Sequence, residues 1–117
     1  MAVARSRRLL LLLLAALALT VAGTALSPIA TAAPPATHTV TIDGSRFDPS
    51  TLAVKGGDTI VWVNKDPFPH TSTSKAGGFD SQTIAAGKSW TLTAAKKGTF
   101  AYTCTFHPTM KGTLRVN

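Results

Sequence analysis

The chain has 117 residues, with twelve Lys and Arg against five acidic residues and a formal net charge of +7. The sequence contains no Glu, and it shows no Ser-His-Asp arrangement, paired carboxylate site or phosphate-binding loop. This composition argues against the common hydrolytic and phosphate-dependent enzymes, so we expect a protein that is not an enzyme.

The N-terminal residues have the pattern of a secretory signal peptide. Three arginines precede an unbroken run of Leu and Ala at residues 9–19, and small residues follow up to Ala33. A positive start, an apolar middle and a small-residue cleavage site, in that order, are typical of such leaders. We therefore predict a signal peptide, with a helical apolar part, at residues 1–33 and a mature domain at residues 34–117.

Two alternatives concern the fate of this leader. Residues 9–26 just reach the length that spans a bilayer, so an uncleaved membrane anchor stays open. The Arg7-Arg8 pair permits the twin-arginine route, although the Leu-rich run favours the general secretory route. Either way we expect an exported protein, periplasmic or extracellular.

The charge of the mature part is milder than that of the whole chain. Residues 34–117 contain nine Lys and Arg against five Asp, a net charge of +4. The lysines are scattered, and only Lys96 and Lys97 are adjacent. Because nucleic-acid binders carry a basic stripe with interleaved aromatic residues, the pattern indicates a solvated surface that influences partner choice.

Short alternating runs, separated by Gly, Asp, Pro and Lys, make up the mature part. Their period is close to two, which predicts β-strands, and no amphipathic helix is apparent. The predicted strands are residues 38–42, 51–54, 59–64, 82–84, 89–93, 99–104 and 113–116. Short strands with Gly-rich turns favour an all-β fold, a two-sheet antiparallel sandwich.

Cys104 is the only cysteine of this exported chain. A lone cysteine there is a buried bystander, an intermolecular bridge or a functional thiol. His107 and Met110 follow at intervals of three, with Pro108 between them. Residues three apart approach within about 7 Å in a turn, which Pro favours, so one tight loop can direct all three side chains to one point. His70, in the loop after the strongest strand, is the expected fourth member.

Two His, one Cys and a weakly bound Met form the ligand set of blue-copper electron-transfer sites. Taken singly, Cys and Met are more often core residues and His a surface residue, as we expect for His38. A zinc site would use more Cys or His, and haem attachment needs C-x-x-C-H, which is absent. The joint pattern predicts one copper ion bound by four side chains, His70, Cys104, His107 and Met110.

The sequence resembles the cupredoxins of the plastocyanin and amicyanin type, and most closely the amicyanins. The resemblance covers nearly all of the mature chain and depends on residues 59–64, on Pro69-His70 and above all on residues 98–112. The two-residue gap between His107 and Met110 is similar to that of amicyanins. It implies a Greek-key cupredoxin-like β-sandwich with type 1 copper at the four predicted ligands.

The resemblance also implies roles around the metal. Asn64 is similar to the asparagine that hydrogen-bonds across to the cysteine loop and holds the ligand geometry. His107 would be the partly exposed ligand through which electrons pass. An apolar patch would surround it and favour brief encounters with a redox partner. This apolar patch consists of Phe68, Pro69, Phe106 and Pro108.

Some features depart from the amicyanin pattern and leave the partner open. Phe106 stands where a proline is usual, and Thr109 where a bulky aromatic residue is usual. The partner could be a dehydrogenase, a cytochrome or an oxidase, and we expect the carrier to be a monomer.

Three functions compete on these grounds. We favour a one-electron carrier that cycles between Cu(I) and Cu(II). The alternative is a copper carrier or buffer in copper homeostasis, although such proteins tend to use several Met, and Met110 is the only one outside the leader. A catalytic copper protein would need further histidine-rich sites, which three His cannot supply.

Overall fold

The structure is a computed structural model that describes residues 20–117. The apolar run predicted to be a signal-peptide helix, residues 9–19, lies outside the described residues. Residues 20–36 are exposed and form neither helix nor strand. No helix within residues 20–117 is long and apolar enough to cross a membrane.

Nine strands, and no helix, form the regular structure of residues 20–117. They are β1 (Thr37–Asp43), β2 (Arg46–Asp48), β3 (Thr51–Val54), β4 (Thr59–Asn64), β5 (Thr73–Ser74), β6 (Phe79–Asp80), β7 (Ser89–Thr93), β8 (Gly98–Cys104) and β9 (His107–Val116). The predicted bounds of β3, β4 and β7 are confirmed. Strand β1 is longer than predicted by one residue at each end, β8 begins one residue earlier, and β9 begins six residues earlier. Residues 82–84 are not a strand, because Ile84 makes only an isolated bridge to His70.

The strands form two sheets, one in the order β2-β1-β4-β7 and one in the order β3-β9-β8-β5-β6. The prediction of an all-β sandwich is confirmed, but the prediction of purely antiparallel sheets is wrong. Strand β1 runs parallel to β4, and β3 runs parallel to β9. Both are pairings between strands that do not follow each other along the chain, and local alternation does not encode them.

One hydrophobic core lies between the two sheets. In β4 every second residue is buried, and Trp62 is fully enclosed. Its ring centroid lies 5.6 Å from that of Tyr102 on the other sheet, in an edge-on arrangement. Phe47 packs on Tyr102 from β2 at 4.6 Å. These aromatic contacts join the sheets and hold β4 and β8, the two strands that lead to the predicted ligands.

Candidate metal centre

Strands β8 and β9 form a hairpin that brings two predicted ligands together. Cys104 ends β8, a two-residue turn follows, and His107 begins β9 directly opposite Cys104. Cys104 is fully buried, and its Sγ lies 3.7 Å from the Nδ1 of His107. His107 is partly exposed. The hairpin thus gives the pair one inward sulfur and one imidazole near solvent.

Met110 reaches this region through an irregularity in the β8–β9 ladder. Cys104 is paired with His107, but Thr103 is paired with Lys111, so residues 108–110 have no partner in β8. In a regular strand, side chains three residues apart face opposite sides. A bulge removes that restriction, and Met110 is buried with 4% of its surface exposed. We predicted a tight loop over these residues, and the structure has a two-residue turn followed by a bulged strand.

His70 comes from the loop that follows β4. Its backbone N–H donates to the carbonyl of Ile84 and its carbonyl accepts from the N–H of Ile84, at 3.1 and 2.7 Å. The side chain is fully buried, and its Nδ1 lies 3.6 Å from the Sγ of Cys104. Two imidazoles that are 37 positions apart in the sequence therefore converge on one thiol.

The far side of the His70 ring contacts a buried carboxylate. The Nε2 of His70 lies 2.7 Å from the Oδ2 of Asp66. Asp66 also accepts backbone N–H groups of Gly44 and Ser45, at 2.7 and 2.9 Å, from the β1–β2 turn. Burial disfavours the charged carboxylate, but the hydrogen bonds from Ser45, Gly44 and His70 outweigh it and lower the pKa of Asp66.

This contact settles the donor atom of His70. A charged Asp66 can only accept, so Nε2–H donates the hydrogen bond, which leaves Nδ1, the nitrogen that faces Cys104, as the one that can bind a metal. No role was predicted for Asp66 from the sequence. Its spacing of four from His70 was visible, but nothing local showed that the carboxylate would be buried.

The three donor atoms fit a metal ion. The Nδ1 atoms and the sulfur all lie within 4.8 Å of one another, and no second such group occurs among residues 20–117. Donors held about 2.0–2.3 Å from a common metal at trigonal angles lie about 3.5–4.0 Å apart. The two sulfur–nitrogen distances, 3.6 and 3.7 Å, fall in that range.

Thr71 links the His70 loop to the cysteine loop. Its backbone N–H donates to the Sγ of Cys104 at 3.3 Å. Its hydroxyl accepts the backbone N–H of Thr105 at 2.9 Å and lies 3.2 Å from the Thr105 hydroxyl. This threonine joins the two segments that provide the predicted His and Cys ligands, and its role was not predicted from the sequence.

The hydrogen bonds of Asn64 differ from the predicted ones. Its Nδ2 donates to the carbonyls of Phe68 and Ile84 at 2.9 and 3.0 Å, and its Oδ1 accepts the N–H of Asp66 at 3.0 Å. Asn64 therefore shapes the loop that holds His70. The cross-link to the cysteine loop, which we had assigned to Asn64, is made by Thr71.

The apolar patch and His38 are the remaining residues for which a position was predicted. The four members of the apolar patch are exposed, and the ring centroid of Phe68 lies 6.4 Å from that of His107. His38, expected at the surface, is half-buried, and its Nε2 lies 2.9 Å from the Oδ2 of Asp58. The third histidine is thus hydrogen-bonded to a carboxylate outside the group of predicted ligands.

The family of the chain follows from its sequence as a whole. Residues 10–116 match the family model of the cupredoxin-like domain. This chain belongs to the cupredoxin-like family. The predicted cofactor, one type 1 copper ion, is the cofactor of this family, and His70, Cys104 and His107 are positioned to bind it. A search of curated protein sequences finds no significant match.

Solved structures agree with this assignment. The cupredoxin is 30% identical to the Cu(I) form of a Met-to-Ala variant of amicyanin, covering 75% of this chain and 88% of that chain with a TM-score of 0.64. It is 26% identical to a purple cupredoxin from Nitrosopumilus maritimus, covering 68% of this chain and 99% of that one, also with a TM-score of 0.64. The resemblance to amicyanin-type cupredoxins is confirmed.

One match is to part of an enzyme. A copper-containing nitrite reductase from Thermus scotoductus is 31% identical over 75% of this chain, with a TM-score of 0.66. The matched region is only 24% of the reductase chain. The similarity therefore concerns a cupredoxin domain within a much longer protein.

Proposed function

We propose that this cupredoxin is an exported one-electron carrier, in which His70, Cys104, His107 and Met110 bind a single type 1 copper ion. The observation that supports it is the approach of two imidazole Nδ1 atoms to one buried sulfur, at 3.6 and 3.7 Å. We further propose that residues 1–33 are a signal peptide and that the mature domain, residues 34–117, acts in the periplasm or outside the cell.

Bound copper would supply a redox couple, Cu(II)/Cu(I), that gains and loses one electron. Several residues of the chain hold the ligand side chains in place. Asp66 holds the His70 ring, and the Thr71 N–H reaches the sulfur of Cys104. The bulged strand places Met110, a soft and weakly binding thioether, in the buried region beside them. Since these ligands cannot relax freely, little movement accompanies electron transfer.

His107 provides the route to the surface. It is the partly exposed member of the donor group, and exposed apolar side chains adjoin it. A partner that covers this face would come close to a ligand of the metal while excluding water. We propose that the apolar patch is the docking face and that the carrier acts as a monomer.

Burial of the donors favours an electron carrier over a copper carrier or buffer. His70 and Cys104 are both completely shielded from solvent, so an ion held there would not exchange readily. An enzymatic role finds no support in the histidine count, because the sequence has three His and His38 is paired with Asp58. Additional catalytic copper would need further imidazoles.

The absorption spectrum tests this proposal directly. The mature protein is loaded with Cu(II), and we expect an intense visible thiolate-to-copper band that disappears on reduction and returns on oxidation. Cys104→Ser should abolish the band. Met110→Leu is the matched variant, which should retain the band and shift the reduction potential. A weak band typical of simple cupric complexes would instead support a copper carrier.

A further inference from the structure

Exposed apolar side chains lie next to His107. Phe68 and Phe106 are 45% and 50% exposed, and they are the only exposed large hydrophobic side chains in the compact unit Ala32–Asn117. The ring of Phe68 lies 5.6 Å from that of His70 and 6.4 Å from that of His107. Contiguous exposed apolar residues beside a functional group mark a contact surface.

Two exposed lysines border the loop that carries this surface. Lys65 immediately precedes Asp66, the residue whose carboxylate contacts the His70 ring. The carbonyl of Lys88 accepts the backbone N–H of Asn64 at 2.9 Å, and Asn64 in turn donates to the carbonyl of Phe68. Both lysines therefore lie at the end of the two sheets that carries His70, Cys104 and His107, which we call the metal-bearing end.

Two further cations lie beside Met110. Lys111 follows the buried Met110 and is paired with Thr103, the neighbour of Cys104. Arg46 follows Ser45, whose backbone N–H donates to Asp66. Both are exposed, and both line a small cleft that Met110 also borders. The metal-bearing end therefore has a rim of four cations, which are Arg46, Lys65, Lys88 and Lys111.

Exposed carboxylates balance only part of this rim. Asp80 is paired with Thr73, which pairs with Thr103, so it lies in the same row of the sheet as Lys111. Asp66 is buried and hydrogen-bonded, and Asp58 is buried in its pair with His38. Asp43, which is exposed, lies directly opposite Arg46 in the β1–β2 pairing and offsets that one cation. Lys65, Lys88 and Lys111 have no ion-pair partner among residues 20–117. A partner approaching the apolar patch therefore meets positive charge around it.

We infer that the apolar patch docks a redox protein whose own contact surface is apolar at the centre and ringed by carboxylates. This inference rests on the proposed electron-carrier function. Complementary charge accelerates and orients the encounter, while the small apolar contact lets the complex separate after transfer. A second copy of this chain does not fit, because its rim would bring like charges together.

Electron-transfer kinetics with two charge-opposed partners test the inference. The copper-loaded protein is mixed with an acidic c-type cytochrome and, separately, with a basic one of similar potential, at ionic strengths from low to high. We expect the acidic cytochrome to react faster by about tenfold at low ionic strength, with a rate that falls as salt is added. The basic cytochrome should react more slowly, with a rate that rises.

Charge-removing variants locate the effect. Lys65→Gln, Lys88→Gln and Lys111→Gln should each lower the low-salt rate with the acidic cytochrome, on the order of twofold. The matched controls are Lys55→Gln and Lys97→Gln. These exposed lysines lie in the β3–β4 and β7–β8 connections, at the opposite end of the sheets, and should change the rate much less.

The outcomes separate the inference from the proposed function. Equal rates with both cytochromes, faster reaction with the basic one, or equal effects of rim and control variants would overturn the inference while the function stands. Failure to exchange electrons with either cytochrome and with hexacyanoferrate would overturn both. Visible absorption and reduction potential, measured for every variant, confirm that only surface charge has changed.

Discussion

The carboxylate of Asp66 lies 2.7 Å from the Nε2 of His70, on the side of the ring that faces away from Cys104. The same carboxylate receives two backbone N–H groups from the β1–β2 turn. A surface turn, a buried acid and a metal-facing imidazole are therefore connected in series. The orientation of His70 depends on a turn more than twenty residues away in sequence.

The first prediction concerns the charge of Asp66. The substitution Asp66→Asn removes a negative charge beside the His70 ring, and it disturbs the contacts with Gly44 and Ser45. We expect copper affinity to fall by about 10–100-fold, as for other partners of metal-bound histidines. The reduction potential should rise, because the more positive oxidised state loses stabilisation. Competition titration and voltammetry measure the two effects.

The control for this prediction is Asp43→Asn, which removes an exposed carboxylate close to the same turn. It should leave copper affinity nearly unchanged. If the two variants lose affinity equally, general surface charge explains the effect and the Asp66–His70 contact does not.

The second prediction concerns the Thr71 hydroxyl. Thr71→Val keeps the volume but leaves the backbone N–H of Thr105 without its partner. The bond is only partly buried and Thr105 is exposed, so water can reach the freed N–H, and the free energy of unfolding should fall by about 0.5–1.5 kcal/mol. The visible charge-transfer band should also shift, because the cysteine loop is held less firmly. Chemical denaturation and absorption spectroscopy follow the two changes.

Two variants distinguish this role from simple packing. Thr71→Ser retains the hydroxyl and should behave almost as the native protein. Thr105→Ala removes the hydroxyl–hydroxyl contact but retains the Thr105 N–H donation, so it should have the smaller effect. An effect of Thr71→Ser as large as that of Thr71→Val would show that the hydroxyl is not the cause.

The sequence predicted local features of this fold better than distant ones. Alternation in residues 59–64 predicted β4 because one face of that strand is buried against the core. The parallel pairing of β1 with β4 could not be predicted, since it depends on which strands meet after the chain has folded. Strands β5 and β6 were missed because two residues are too few to show a period.

The same division applies to the metal centre. The spacing of Cys104, His107 and Met110 is local and was recognised, although the bulge that accommodates it was not. Asp66 is only four residues from His70, but it is held by the distant β1–β2 turn, and Thr71 contacts Cys104, which is 33 residues away. Their side chains are common types that appear throughout the sequence, so nothing in the pattern distinguishes them.

The third prediction concerns acid stability at the opposite end of the domain. Asp58 accepts the backbone N–H groups of Ala36 and Lys55 and pairs with His38, and these contacts lower the pKa of Asp58 from 3.8 to about 2. A lowered folded-state pKa stabilises the fold above the unfolded pKa of 3.8. That contribution is lost as the pH falls through about 2.

Asp58→Asn should therefore be less stable than the native chain at neutral pH, with a difference that narrows as the pH falls from 4 toward 2. Denaturant unfolding of copper-free protein at several pH values measures this difference. Asp48→Asn, which alters an exposed aspartate, is the control. A stability difference that stays constant over this pH range would contradict a lowered pKa of Asp58 in the folded protein.

The fourth prediction concerns Gly112, which lies opposite Tyr102 in the β8–β9 ladder. A Cβ at this position would come within 2.2 Å of the Tyr102 Cζ and 2.4 Å of its hydroxyl. Tyr102 cannot move aside easily, because it is buried and packed against Trp62 and Phe47. Glycine is therefore required here by the close approach of a ring.

Gly112→Ala should lower the free energy of unfolding by about 1–3 kcal/mol, as overpacking of a filled core does. It should also perturb the copper absorption band, because the displaced ring is two residues from Cys104. Gly56→Ala is the matched control, since its Cβ would meet only the carbonyl of Asn117 at 3.9 Å, an ordinary contact. Thermal or denaturant unfolding compares the two. Equal stability of the two variants would mean that Tyr102 has room to move, and that its packing does not fix the strand that ends at the thiol.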